Sequence, residues 1–448
     1  MSIADINGDG EKDIYISGAK GFAGQILLGN NMELASMKDS DFIKNSGSED
    51  SSSLFFDADN DGDLDLYVCS GGVEFSKFSS SFIDRLYFND GKGNFSLSDQ
   101  KLPNPNTRNS TSTIMSSDID NDGDLDLFVG ERIVPLQYGS PCSGFLLEND
   151  GKGNFTDITE KNASELIGIG MITDGLFVDL DADGDDDMII AGEFMGVEIF
   201  INDTGTFNRK ADNSLSNLKG WWNTIESSDL DNDGDMDLIV GNHGLNSRFK
   251  ASKDYPITLY SNDFDKNGFT DPILAFRAEN GKDYPYALRH NLIDQIKSLK
   301  KLFPDYESFK DAGISDIFST EQMEGANILN ANILSSIILV NNGNFNFEVI
   351  QLPVEAQFAP IYAIATEDFD NDGDQDIILG GNLYGVKPEA GRYDASYGVY
   401  LENLGKMTFK SHNNGKGFAV KGQVRDFIID NNKIIVARNN DSLAIFKY

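Results

Sequence analysis

The sequence predicts an all-β protein: a seven-bladed β-propeller, with eight blades as the alternative, carrying a small helical insertion. Three observations predict it. An acidic nine-residue pattern recurs seven times, each copy runs into a short apolar strand, and most copies are followed by an Asn/Gly-rich hairpin.

The pattern is Asp-x-Asp/Asn-x-Asp/Asn-Gly-x-x-Asp, starting at Asp5, Asp57, Asp118, Asp179, Asp229, Asp263 and Asp368. Seven copies with the same sixth-position Gly exclude chance, and self-similarity of this kind marks a repeat architecture. The tails Asp65-Leu-Tyr-Val68, Asp126-Leu-Phe-Val129, Asp187-Met-Ile-Ile190, Asp237-Leu-Ile-Val240 and Asp376-Ile-Ile-Leu379 are β-branched and aromatic runs, the signature of buried strands. Downstream come Leu86-Tyr-Phe-Asn-Asp-Gly-Lys-Gly-Asn-Phe95 and Leu146-Leu-Glu-Asn-Asp-Gly-Lys-Gly-Asn-Phe155, with weaker copies ending at Phe207, Phe345 and Phe409. Asn and Gly there tolerate the positive φ of hairpin turns.

Each unit therefore reads as strand, acidic loop, strand, connection, strand, hairpin, strand. Repeated radially, such a four-stranded unit is a propeller blade. Residues 1–448 then form a single propeller, not the several domains that length alone suggests. The copy at Asp263 follows its predecessor too soon to open a blade and reads as a hairpin that has acquired an acidic loop. Residues 413–448, with Val424–Ile429, Lys433–Ala437 and Ser442–Phe446, read as a degenerate closing blade without its loop. Residues 284–328 interrupt the pattern. Leu292, Ile296, Leu299 and Phe303 fall at helical spacing, so this segment is expected to be a helical insertion, either a packing bracket or the wall of a binding site.

The loops offer oxygen ligands at positions 1, 3, 5 and 9: Asp5, Asn7, Asp9 and Asp13; Asp57, Asp59, Asp61 and Asp65; Asp118, Asp120, Asp122 and Asp126; Asp179, Asp181, Asp183 and Asp187; Asp229, Asp231, Asp233 and Asp237; Asp263, Asp265, Asn267 and Asp271; Asp368, Asp370, Asp372 and Asp376. Carboxylate-rich, oxygen-only ligation suits Ca²⁺ better than Mg²⁺ or softer metals, so six or seven structural Ca²⁺ ions are expected. Without them the converging carboxylates would repel. Position 7 would give its backbone carbonyl, leaving the side chains of Asp63, Asp124, Asp185, Asp235 and Asp374 free to point outward. An EF-hand is excluded, because it needs Glu at position 12, where this chain has Ile16, Val68, Val129, Ile190, Val240, Leu274 and Leu379.

Composition narrows the partners. There are 73 acidic against 36 basic residues, a net charge of −37, which argues against binding to nucleic-acid phosphates or anionic lipid. Two cysteines, Cys69 and Cys142, make no disulfide framework, and free buried thiols are expected. Three histidines leave little for a His-based centre. No run is long and apolar enough for a membrane helix, and the start is not a signal peptide. Because a repeat opens within a few residues of Met1, the chain is expected to be part of something longer.

These loops resemble the FG-GAP/VCBS repeats of integrin-α-type propellers. The segments Gly18–Gly24, Gly241–Ser247, Asp263–Gly268, Gly380–Gly385, Gly391–Ser396 and Gly422–Asp426 further resemble the C-terminal propeller of large Bacteroidetes-type envelope proteins related to those with an ASPIC/UnbV domain. The resemblance implies structural Ca²⁺ in the loops and a secreted or outer-surface setting, with the export signal on a missing N-terminal part. It implies no settled activity. The function expected is a non-catalytic, calcium-stabilised binding or adhesion module that presents inter-blade loops to a glycan or protein. Candidate contacts are Asn242, His243, Arg248, Arg392 and Tyr393. One alternative is a polysaccharide lyase or hydrolase using His243, Tyr393 and Arg392. The other is a purely structural domain of a larger surface protein.

Overall fold

The computed structural model describes all residues except 30–32, 35–40, 107, 211–213 and 413–417. The described residues form eight antiparallel sheets. Sheet 2 shows the plan. Its strands Asp50–Phe56, Asp65–Ser70, Arg85–Asn89 and Phe95–Leu97 pair in sequence order. The acidic loop joins the first two strands, and the Asn-Asp-Gly hairpin joins the last two. Both turns therefore lie at one end of the sheet, while the connections between the second and third strands lie at the other.

Sheets 1, 3, 4 and 6 repeat this order, beginning with Ser2–Ala4, Ser110–Ser117, Met171–Val178 and Ile361–Glu367. Sheet 7 has three described strands, Gln423–Asp430, Lys433–Asn439 and Ala444–Lys447. Its first turn is Asn431-Asn432, both at positive φ (48° and 59°), where other units carry the acidic loop. Of the closing unit expected over 413–448, residues 413–417 lie outside the described residues.

Second strands are buried on both faces, which is why they are unbroken apolar runs rather than alternating ones. Leu66 and Val68 join a cluster with Tyr15 and Ile26 of sheet 1, while Tyr67 joins one with Leu127 and Leu147 of sheet 3. Similar clusters join sheets 3 and 4 and sheets 6 and 7, and sheet 5, which begins with Thr224–Ser228, is joined in the same way to sheets 4 and 6. Ile14 of sheet 1 packs with Ile428 and Ile435 of sheet 7. First strands are also stitched sideways: Ser51 Oγ donates to Thr111 O (2.8 Å), Ser112 Oγ to Ile172 O (2.7 Å) and Thr173 Oγ1 to Trp222 O (2.9 Å).

Sheet 5 contains the interruption, which is longer than 284–328. Its strands Thr224–Ser228, Asp237–Gly241, Ile337–Asn341 and Phe347–Gln351 pair in sequence order, and the chain leaves the sheet after the second of them. Before it returns it forms a whole sheet of Ile257–Asn262, Asp271–Arg277, Asp283–Pro285 and Asn327–Ala331. The loop at Asp263 joins the first two strands of this inserted sheet. The single helix expected through Phe303 is broken into Arg289–Gln295 and Leu299–Leu302, because Ile296 leaves helical geometry at φ −118° and ψ 91°. Leu292, Ile296, Leu299 and Phe303 are nevertheless all buried against Phe264, Ile273 and Ala275 of the inserted sheet. Packing on that sheet, not helix length, fixes where the turns end. The other side of the inserted sheet, through Leu259 and Ala331, meets Met171 and Phe194 of sheet 4 and Tyr138 from a connection of sheet 3.

First strands also carry acids that face one another. Asp174 is pushed up to about 6 by burial, and Glu226 to about 7 by burial and then by Asp174. A carboxyl with a raised folded pKa costs stability when ionised. That cost is absent at low pH and grows as pH rises through the folded value. Glu226→Gln is therefore expected to stabilise the fold by about 1–2 kcal/mol at pH 8 and to change little at pH 5. Thermal melts at the two pH values check this, and an equal effect at both would contradict the burial account.

Candidate metal loops and the opposite mouth

Each acidic loop folds by turning its backbone onto its first carboxylate. In the loop at Asp57, Gly62 N–H donates to Asp57 Oδ2 (3.0 Å), and Asp63 N–H donates to Asp61 Oδ1 (2.9 Å). The same first-to-sixth bond recurs at Gly10, Gly123, Gly184, Gly234, Gly268 and Gly373. Position 6 requires glycine because its φ lies between 87° at Gly10 and 100° at Gly373. Position 4 is left-handed too, including Ala182 (60°) and Lys266 (58°).

This turn gathers oxygens. Atoms of Asp57, Asp59 and Asp61 lie within 4.8 Å of one another, as do those of Asp118, Asp120 and Asp122, of Asp179, Asp181 and Asp183, and of Asp229, Asp231 and Asp233. In the inserted sheet the group is Asp263, Asp265 and Asp271. The turns at Asp5 and Asp368 share the first-to-sixth bond. Burial and adjacent aspartates push Asp59, Asp120, Asp181, Asp231 and Asp370 up. Oδ1 of Asp57, Asp59, Asp231 and Asp265 is buried without a hydrogen-bond partner. Buried carboxylate oxygens left unpartnered beside like charges fit a bound cation, and an all-oxygen donor set fits a hard one.

The ninth-position carboxylates do a second job. Asp65 accepts from Ala58 N–H (3.0 Å) and from Asn89 N–H in the hairpin (2.8 Å). Asp13, Asp187, Asp237 and Asp376 likewise accept one bond from position 2 and one from the third-strand end. Asp126 accepts from Asn149 N–H (2.7 Å). The hairpin Asn then reaches the preceding sheet. Nδ2 of Asn89, Asn149, Asn202, Asn341 and Asn403 donates to the position-2 carbonyls of Ile6, Ala58, Ile119, Leu180 and Leu230. Sequence reading took this Asn as a turn former only. Its recurrence at one register was the available signal for a buried staple.

Three of the five position-7 side chains expected to point outward are instead hydrogen-bonded. Asp124 accepts from Asn60, Asp185 from Asn121 (2.9 Å) and Asp374 from Asn232 (2.7 Å), each Asn being position 4 of another loop. Asp63 instead lies against the hairpin at Gly91, where the φ of 69° favours glycine.

The opposite end of the sheets gathers aromatic and arginine side chains. Asn242 is fully buried: it donates to Ile333 O and Ser335 O (both 3.2 Å) and accepts from Trp221 and His243 N–H (3.2 and 2.7 Å). It orders the chain and is not open to a ligand. The His243 ring stands edge-on to Trp221 (5.1 Å) and Tyr393 (4.7 Å), and burial pushes it down to about 4, so it is neutral at pH 7. Arg248, from the interruption, covers Tyr286 (5.3 Å), and Arg392 covers Tyr384 (3.9 Å). His243 and Tyr393 thus meet, while Arg392 stacks away on Tyr384. Trp221, Tyr362, Tyr384 and Arg425 at this mouth went unnoticed in the sequence, because single aromatic and arginine residues carry no spacing signal. Cys69 and Cys142 are buried free thiols. No helix among the described residues is long and apolar enough to cross a membrane.

Sequential antiparallel sheets, most with an acidic first turn, make this an all-β repeat protein whose architecture is consistent with a β-propeller. Two stretches, residues 57–129 and 179–240, match the FG-GAP-like repeat. Among solved structures, the V. cholerae biofilm matrix protein Bap1 is similar at 11% identity and a TM-score of 0.38, over 99% of this chain and 86% of that one. BBS1N in complex with ARL6DN is similar at 10% identity and a TM-score of 0.45, over 99% and 90%. No curated protein matches the chain.

If the gathered carboxylates hold the ion, replacing Asp120 and Asp122 together by Ala is expected to lower the bound-calcium count by one and leave the remaining sites filled. Equilibrium dialysis with calcium analysis reads the count, and an unchanged count would remove this loop from the set.

Proposed function

We propose that the protein is a calcium-stabilised, non-catalytic binding module of the cell exterior, in which seven sheets close into a ring and the eighth projects from it. Ca²⁺ sits in the acidic loops on one face. Glycan or protein ligands meet the other face, where the inserted sheet and the connections of sheets 4 to 7 form a mouth. The supporting observation is the division of labour between the two ends. Carboxylates and Asn staples occupy one end and tie neighbouring sheets together, while Trp221, His243, Tyr393, Arg248 and Arg392 occupy the other. Aromatic and arginine side chains at a concave surface are the usual anchors of recognition.

Binding of the calcium-loaded protein to a combined glycan and extracellular-protein array tests the proposal, with the same glycans assayed for cleavage products. Retained ligand without product supports it. Product formation lost in His243→Ala would overturn the non-catalytic reading, and absence of any ligand would reduce the chain to a structural domain.

A further inference from the structure

Building on the binding-module reading, we propose that the mouth between sheets 6 and 7 takes a carboxylated sugar chain, its carboxylate on Arg425 and a sugar face on Tyr384. Arg425 stands near the start of Gln423–Asp430, half-buried, with its guanidinium 4.3 Å from the Tyr362 ring centroid. Its hydrogen bonds go to Asn382 O (3.1 Å), Val424 O (2.7 Å) and Gln423 Oε1 (3.3 Å), all of them neutral. Among the described residues no carboxylate lies within ion-pair distance of it.

In a chain with 73 acidic and 36 basic residues, that is the reverse of what composition favours. A half-buried cation with only neutral partners has lost solvation without gaining a counter-charge. An arriving carboxylate supplies one, and the guanidinium fork matches its two oxygens.

The space for it exists. A cavity of about 500 Å³ is lined by Arg425, Tyr384, Gln423, Asn439, Asn440 and Asp441 among others. Asp441 is already taken by Arg438 at 2.9 Å, so it does not neutralise Arg425. Arg392 covers one face of the Tyr384 ring (3.9 Å); the ring also lines the cavity, where it offers apolar surface to a sugar while the amides offer hydrogen bonds to hydroxyls.

The mouth continues across the backbone pairing of Leu383 with Tyr393. On that far side three polar atoms are buried with no hydrogen-bond partner: Trp221 Nε1, His243 Nε2 and Tyr393 Oη. Their rings touch in series. Three unsatisfied atoms of mixed donor and acceptor character suit the hydroxyls of a second sugar unit. Arg425 is the one cation among the residues lining this cavity, and a single cation among an aromatic ring and amides favours a sugar chain over an acidic peptide, which would call for a row of cations.

The test is calorimetric titration of the calcium-loaded protein with hexasaccharides of hyaluronan, galacturonan and mannuronan, each beside its carboxyl-reduced counterpart, and with hexaglutamate. At least one uronate hexasaccharide is expected to bind at least tenfold more tightly than its reduced form. Arg425→Gln should remove that tenfold preference, and Tyr384→Ala should weaken binding several-fold, both with unchanged melting temperature. The site assignment is overturned if all three uronates bind no better than their reduced forms, if hexaglutamate binds more tightly, or if Arg425→Gln binds like the parent. The array separates the two claims: ligands retained there by Arg425→Gln would leave the binding module standing and sink only this site.

Discussion

Moving the protein from millimolar Ca²⁺ into EDTA is expected to lower its melting temperature by about 10 °C or more, the largest single effect foreseen here. The loops at Asp57, Asp118, Asp179, Asp229 and Asp263 each bring three carboxylates to within 4.8 Å of one another, and oxygens of Asp57, Asp59, Asp126, Asp231 and Asp265 are buried without a partner. Without an ion these are like charges in a partly desolvated turn. With one they become its ligands. Binding at millimolar calcium to sites of extracellular strength stabilises the folded state by about 1–2 kcal/mol per ion. Several such ions sum to a shift that a chain of 448 residues, with its large unfolding entropy, still registers clearly. Paired melts by circular dichroism in the two buffers are sufficient. Superimposable melts would mean that the turn is held by its own hydrogen bonds, such as those from Gly62 and Gly123 to the first carboxylate, and that calcium is not structural.

How much of this could be read from residues alone depends on whether the physics is local. The acidic turn is local. Asp at the first position, Gly at the sixth and an apolar strand afterwards lie within twelve residues, and the turn forms where that spacing says. The Asn-Gly hairpins are local for the same reason. What escaped was long-range. The staple from Asn341 to Leu180 O spans 161 residues, and nothing in the hairpin shows which carbonyl its side chain reaches. The position-7 aspartates looked free because their Asn partners sit in a different loop. The interruption of sheet 5 was seen only through its helical spacing. Its strands, such as Ile257–Asn262, resemble those of any other unit, so the inserted sheet was hidden among the repeats. The mouth was half-legible. His243 and Tyr393 do meet, but Asn242 is spent on backbone, and Arg425 becomes informative only once its missing counter-ion is visible.

The staple yields the second large effect. Asn403→Ala is expected to destabilise the fold by about 2–4 kcal/mol and to weaken the ion in the loop at Asp229 about tenfold. Asn403 is fully buried, and its Nδ2 donates to Leu230 O (2.8 Å) and to Gln375 O (3.1 Å). Its Oδ1 accepts from Gly405 N–H (3.0 Å), and its own N–H is held by Asp376 at 2.8 Å. Leu230 is the second residue of the loop at Asp229, while Gln375 and Asp376 belong to the loop at Asp368. One side chain therefore fixes backbone in two acidic loops and joins sheet 6 to sheet 5. Truncation leaves two buried carbonyls unpaired and frees the backbone beside the first-position Asp229, so stability and ion affinity should fall together. Asn403→Asp keeps the shape but replaces the donor with a charge beside Asp376, and it should be the worse of the two. Asn262 provides the contrast. Its Nδ2 donates to Gln322 O and Glu324 O within the interruption, so Asn262→Ala should loosen that region and leave the ion at Asp229 untouched. Urea denaturation with calcium titration of the three variants reads both quantities. If Asn403→Ala lowered stability without touching any ion, the staple would be packing alone, and the metal loops would act independently of the sheets that follow them.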